Sequence, residues 1–185
     1  REIYDALMLG IEAFNCESLQ EIFVINEMAH LHGVKANISV RINPDIDAHT
    51  HKYVTTGLYE NKFGISNHEF DKLIEFIQKS EHINFIGLHF HIGSQITRVD
   101  EVFSLECKRV NEIVKYFESK GLTVRNINLG GGLGVDYDDP DGNPIADFKT
   151  WFNAIDRNII RRADQTVHVE PGRSLVAQCA SLISR

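Results

Sequence analysis

No stretch of this 185-residue sequence approaches the ~20 consecutive apolar residues that a membrane-spanning helix needs. Nor does a secretory leader stand at its start. Cysteine is scarce: Cys16, Cys107 and Cys179 are odd in number and widely separated. Such a set argues against a disulfide framework and for a reducing compartment, so a cytoplasmic protein is expected. No two of them have the close spacing of a metal-binding pair. Basic charge is also in short supply. The 19 Lys and Arg face 26 Asp and Glu, a formal net charge of −7. That balance disfavours nucleic acid and anionic membrane surfaces as partners, although a local basic site for one phosphate is compatible with it. Low-complexity tracts and close repeats are missing as well.

What is there is ordinary soluble composition in a chain long enough for one domain, which buries roughly 70% of its unfolded surface at this size. Short apolar strands alternate with amphipathic helices. Strands are predicted at 11–15, 37–43, 84–92, 125–130 and 166–170, and helices near 17–32, 68–80, 100–119 and 145–162. The third helix carries Val102, Phe103, Val110, Ile113, Val114 and Phe117 at helical spacing, and the fourth carries Phe148, Trp151, Phe152, Ile155 and Ile159. Both stripes read as core-facing. Gly33 and Gly121 follow helices where C-caps belong. Repeated strand–helix–strand order implies a parallel sheet with helices outside it. "REIYDAL" begins inside a helical pattern and "ASLISR" stops inside a strand-like one, so a fragment is expected.

Side chains alternate across a strand. Ile38, Val40 and Ile42 oppose Ser39, Arg41 and Asn43. Ile86, Leu88, Phe90 and Ile92 oppose Gly87, His89 and His91. Ile127 and Leu129 oppose Asn126 and Asn128, and Val167 and Val169 oppose Thr166, His168 and Glu170. A sheet between two helix layers is apolar on both faces. One polar face instead suits an α/β barrel of the (β/α)8 type, whose interior near the strand C-terminal ends carries the functional groups. His89 and His91 then point into the barrel mouth. Two readings of the pair stay open at this point: hydrogen-bonded interior histidines, or a metal pair, which lacks an Asp, Glu or Cys neighbour in sequence.

Three strand ends carry loops suited to a phosphate. "NLGGGLG" at 128–134 offers backbone N–H groups unobstructed by side chains. "HIGSQ" offers the Ser94 hydroxyl, and "EPGRS" offers a tight turn at Pro171 and Gly172 with the Arg173 guanidinium beside the inward-facing Glu170. Such barrels place a phosphate at their last strands. A buried carboxylate and a ring-sized histidine beside it point to an aromatic phosphate cofactor.

"GLHFHIGSQ", "NLGGGLGVDY" and "EPGRSLVA", in this order, resemble the pyridoxal-phosphate-dependent decarboxylases with an alanine-racemase-type barrel. "FNCES", "RINPD" and "TTGLYENKFGIS" resemble the diaminopimelate decarboxylase branch. The resemblance implies pyridoxal 5'-phosphate as cofactor, with His91 stacked on the ring and Glu170 paired with the pyridine nitrogen. It implies Ser94, Gly131, Gly132, Gly172 and Arg173 around the phosphate, Arg173 also near the substrate, and Arg41 near the ring. It implies no metal, and leaves His89 without a role. It further implies decarboxylation of diaminopimelate to lysine by a homodimer, because a protonated pyridine is an electron sink for the carbanion left by departing CO₂.

The same resemblance implies that the chain holds the last five of eight strands. Residues 1–178 would be the barrel part, and 179–185 the start of a connection to a β domain. The cofactor-bearing lysine and a catalytic cysteine would lie elsewhere, since neither Lys62 nor any of the three cysteines matches their motifs, and the chain alone would be inactive. Relatives acting on ornithine, arginine or a carboxylated polyamine, and a non-catalytic binding relative, are the alternatives.

Overall fold

The computed structural model describes residues 1–44, 63–180 and 183. Helix α1 (Glu2–Leu9) leads into strand β1 (Phe14–Cys16), then α2 (Leu19–Leu31) and β2 (Ala36–Arg41). A 3₁₀ turn (Asn67–Glu69) opens α3 (Phe70–Lys79), followed by β3 (Ile83–His89) and the long α4 (Val99–Ser119). Then come β4 (Asn126–Asn128), α5 (Phe148–Asn158), β5 (Thr166–His168) and the short α6 (Arg173–Val176). Every strand–strand pairing is parallel, and the sheet order is β1-β2-β3-β4-β5. Sequential order without a reversal is the winding of a barrel; a doubly wound sheet switches direction part-way. The expected α/β barrel, in part, is therefore what forms. The segment around Lys62 and most of "TTGLYENKFGIS" lies outside the described residues, as does most of "ASLISR".

The helices form where the sequence has caps and an apolar stripe. The Ser18 side chain accepts from Glu21 N–H at 3.2 Å at the start of α2, and Asp147 accepts from Thr150 N–H at 3.0 Å at the start of α5. Gly33 and Gly121 take φ of 65° and 89°, the left-handed conformation that ends a helix. On α3, Phe70, Leu73, Ile74 and Ile77 are buried, the i, i+3, i+4, i+7 pattern of one face. Trp151 of α5 is fully buried with its ring centroid 5.5 Å from that of Phe103 on α4.

Three expectations are corrected. Strands β3, β4 and β5 stop short of their predicted ends, so His91, Gly130 and Glu170 stand beyond the sheet ladder. The face assigned to Ile86 fails: the β2–β3 register runs Ile38–Phe85 and then Ser39–Gly87, leaving Ile86 as an extra residue in a bulge. Ile83 is buried on one side of that bulge and Leu88 and Phe90 on the other, so the parity of the strand changes there. Phe152 is not in the core but 49% exposed, beside an open groove lined by Ile155, Ile159, Val167 and Val169. β5 is the edge of the sheet among the described residues, so the far flank of α5 has no strand to pack on.

Glu106 breaks the apolar stripe of α4. Its side chain is fully buried, and neither carboxyl oxygen has a hydrogen-bond partner among the described residues. Burial pushes its pKa well above the usual carboxylate value. A raised folded-state pKa means that the folded protein holds a proton which the unfolded chain releases. Stability therefore falls as pH rises from the ordinary carboxylate range up to the folded value. Replacing Glu106 by Met, of similar volume and apolar, is expected to stabilise by about 1–3 kcal/mol at neutral pH and to flatten that slope. Denaturant unfolding at pH 5 and pH 8 measures both. A loss of stability at both values would refute the assignment.

Candidate active site at the strand ends

Three loops meet at the C-terminal ends of β3, β4 and β5, and backbone bonds lock them together. Phe90 N–H donates to Asn128 O at 2.7 Å, Glu170 N–H to Gly130 O at 2.6 Å, and Ile96 N–H to Gly132 O at 2.8 Å. The contact is too close for side chains. A Cβ on Gly131 would lie 2.2 Å from the Glu170 carbonyl oxygen, and one on Gly132, where φ is also 102°, would lie 2.4 Å from the Gly93 carbonyl oxygen.

Ser94, Gly131, Gly132, Glu170 and Gly172 sit on these loops, and Arg173 opens α6 directly after the third. Arg173 Nη2 donates to Ser94 Oγ at 3.2 Å, and Nη1 donates to Tyr137 Oη at 3.3 Å. The guanidinium also lies 5.9 Å from the Tyr137 ring centroid. Gly131 N–H donates to His91 Nδ1 at 3.3 Å, which ties that ring to the glycine loop. Glu170, expected to be buried, has a half-exposed side chain; its Oε1 accepts from Asn128 Nδ2 at 2.8 Å, and Gly130 N–H fixes the same Asn128 amide through Oδ1 at 2.8 Å. Arg41, at the end of β2, forms an ion pair with Glu17. A second oxygen of Glu17 accepts from Gly64 N–H at 3.0 Å. Below the mouth, a cavity of about 180 Å³ is lined by Ser39, Asn126, Asn128 and His168, the inward residues of the alternation.

Sequence reasoning left out four of these groups. Asn128 was already on the inner face, and its place directly before the glycines was a usable signal. Glu17 sat in a quoted motif but had no partner until Arg41 was brought beside it. His89, left without a role, is buried with Nε2 3.4 Å from Glu170 Oε2. Tyr137 lies in an irregular loop with no periodicity to reveal its direction. That loop is shaped by Asp136, whose Oδ1 accepts from Asp138 and Asp139 N–H at 2.9 and 3.0 Å. Those bonds hold the Asp136 carboxyl below its usual pKa. The buried cysteines are no part of the cluster. Burial pushes the Cys16 thiol strongly up and the Cys107 thiol to about 12, away from reactive thiolate.

Residues 1–177 match the family model described as "Pyridoxal-dependent decarboxylase, pyridoxal binding domain". The chain belongs to the pyridoxal-dependent decarboxylase family. It is similar to the diaminopimelate decarboxylase of Bacteroides thetaiotaomicron, 47% identical over 184 residues, which are 100% of this chain and 47% of that protein. Among solved structures, it resembles the diaminopimelate decarboxylase of Helicobacter pylori complexed with L-lysine, with a TM-score of 0.77 at 38% identity over 95% of this chain and 43% of that one. It also resembles the M. jannaschii diaminopimelate decarboxylase in co-complex with L-lysine, with a TM-score of 0.79 at 34% identity over 95% of this chain and 41% of that one. The chain thus spans less than half the length of these relatives. Among the described residues, no helix is long and apolar enough to cross a membrane.

The residues present fit a phosphorylated pyridine. A glycine loop without room for a single Cβ, a hydroxyl and a guanidinium within 3.2 Å of each other, and a carboxylate anchored on the same side are the donors and acceptor such a group requires.

Proposed function

We propose that this chain is the cofactor-binding part of a diaminopimelate decarboxylase, acting in a complete protein that also contains the flanking segments its relatives carry. Residues 1–178 belong to the barrel, and 179–185 begin the connection to a further domain. The observation that carries the reading is the convergence of Ser94, Arg173, the glycine loop and Glu170 on three adjacent strand ends. The pyridoxal-binding family and the lysine-bound solved relatives support it.

Pyridoxal 5'-phosphate supplies the electron sink for the carbon that loses CO₂. The chain's own residues hold and tune it. Ser94 Oγ, the backbone N–H groups of Gly132 and Gly172, and the Arg173 guanidinium bind the phosphate, while Gly131 lets the loop come close and gives its own N–H to His91. Glu170 keeps a proton on the pyridine nitrogen. His91, held at Nδ1 by the glycine loop, covers one face of the ring. Arg41, steered by Glu17, stands beside it. The cofactor-bearing lysine is assigned to a flanking segment. The protein works as a homodimer in the cytoplasm; its three free thiols agree with a reducing compartment.

Diaminopimelate ends in a second amino acid centre, and its distal carboxylate needs a cation. Arg173 is assigned to it as well as to the phosphate. A lysine there keeps the charge but loses the planar fork. Reconstitution of the complete protein with pyridoxal phosphate is expected to give a visible absorption band, and its absence would sink the cofactor reading. The kcat/KM for diaminopimelate is expected to exceed those for lysine and ornithine. Arg173→Lys is expected to raise KM for diaminopimelate by about ten-fold, the scale of one charge-assisted hydrogen bond. Comparable rates on ornithine would reject the substrate, and an unchanged KM would remove Arg173 from its site.

A further inference from the structure

One buried imidazole at the strand ends has no part in the roles above. His89 closes β3 and is 7% exposed, and among the described residues neither ring nitrogen has a hydrogen-bond partner. Leaving two buried polar nitrogens unpartnered is costly, so their position calls for an explanation. Nε2 lies 3.4 Å from Glu170 Oε2. The opposite oxygen, Oε1, already accepts from Asn128 Nδ2 at 2.8 Å. That amide cannot turn round, because Gly130 N–H holds its oxygen. Glu170 therefore meets a fixed donor on one oxygen and the edge of a buried ring on the other.

We propose that His89 is a positioning residue for Glu170, donating Nε2–H to Oε2 while Asn128 donates to Oε1, so that the carboxylate meets the cofactor's ring nitrogen in one orientation. The proposal rests on the reading of Glu170 as the partner of that nitrogen. The contact at 3.4 Å is long, and such contacts in unliganded sites shorten when the site is loaded.

The charge state of the ring suits the task. Burial lowers the His89 pKa, and Arg41 and His91 act in the same direction against the opposing pull of Glu170. A neutral imidazole donates a hydrogen bond without adding a second cation. An imidazolium would share the carboxylate with the pyridinium and weaken its hold on the pyridine proton. The strand pattern also explains why the ring reaches Glu170. The bulge at Ile86 resets the parity of β3, so that His89, paired in register with Asn128, faces inward with it.

The test uses the complete protein loaded with cofactor labelled with ¹⁵N in the pyridine ring. His89→Gln keeps a donor at the reach of Nε2, whereas His89→Phe keeps a ring and removes the donor. In the Phe variant, cofactor affinity is expected to fall by about ten-fold or more. Its pyridine nitrogen resonance is expected to move toward the unprotonated position at the alkaline end of the pH range. The Gln variant is expected to stay within about three-fold of the parent and to keep the parental resonance. Parental affinity and resonance in the Phe variant overturn the proposal. So does a Gln variant that falls as far as Phe, since ring packing and not the donor would then matter.

Should His89→Phe fail to fold, the ring nitrogens of His89 in the cofactor-free protein decide. An Nε2-protonated tautomer whose preference is lost in Glu170→Leu supports the proposal. An Nδ1-protonated tautomer indifferent to that change overturns it. A complete protein that takes up no pyridoxal phosphate sinks the functional reading instead, and the tautomer measurement still tests the His89–Glu170 contact.

Discussion

Replacing Glu170 by Gln is expected to lower turnover of the complete protein by about 100-fold or more, the usual scale for losing one preorganised electrostatic group. The substitution is close to isosteric. The amide oxygen of Gln can still accept from Asn128 Nδ2, which now bonds Glu170 Oε1 at 2.8 Å, so the side chain keeps its anchor. What it loses is the negative charge proposed to hold a proton on the pyridine nitrogen. The cofactor would supply an electron sink for the carbon that loses CO₂, and the Gln variant could no longer hold the proton on which that sink depends. Cofactor uptake is expected to survive in part, because the phosphate is assigned to other residues. Steady-state kinetics and a cofactor titration separate the two effects. Turnover near the parental value would make Glu170 a structural residue.

The second large effect is expected from a single methyl group. Gly131→Ala places a Cβ 2.2 Å from the Glu170 carbonyl oxygen and 3.2 Å from its carbonyl carbon. Both neighbours are backbone, so no flexible side chain can swing away. The glycine loop and the loop after β5 must part, at a cost near the upper end of the ~1–3 kcal/mol typical of overpacking. Those two loops carry Gly131, Gly132 and Gly172 and lead into Arg173, so cofactor affinity is expected to fall by at least ten-fold along with stability. Gly172→Ala is the matched control. A Cβ there meets nothing within 4 Å, and the protein is expected to unfold as the parent does. Any loss of cofactor affinity in that variant reports the approach of the phosphate itself. Thermal unfolding and cofactor binding of both variants are the measurements. A Gly131→Ala protein as stable and as tightly bound as the parent would contradict the close approach of these loops.

Much of the site was legible from alternation alone. Ser39, Arg41, Asn126, Asn128 and His168 were placed on the polar face by counting along single strands, and Ser39, Asn126, Asn128 and His168 line the barrel interior. The three phosphate-compatible loops were legible too, because glycine, serine and arginine directly after an apolar strand have few other uses. Counting failed at Ile86. A bulge is set by how two strands pair, and the sequence of one strand does not contain the other. It failed again at Phe152, where a regular apolar stripe runs past the edge of the sheet it packs on. Glu106 was passed over because the stripe of α4 is apolar on both sides of it.

Sequence alone determined the order of strands and helices, the inward and outward faces away from the bulge at Ile86, and the set of groups that end up at the strand C-terminal ends. Each of these follows from local rules: a period of two along a strand, near 3.6 along a helix, and the conformational freedom of glycine. Tertiary structure alone decided the partnerships. Arg41 pairs with Glu17, Arg173 with Ser94 and Tyr137, and Glu170 with Asn128 and His89. Those pairs are separated by 24, 79, 36, 42 and 81 positions along the chain. No local pattern encodes which distant side chain stands within about 3 Å of another. Parallel strand pairing in register does, because it sets His89 beside Asn128 and Asn128 beside His168, two residues short of Glu170.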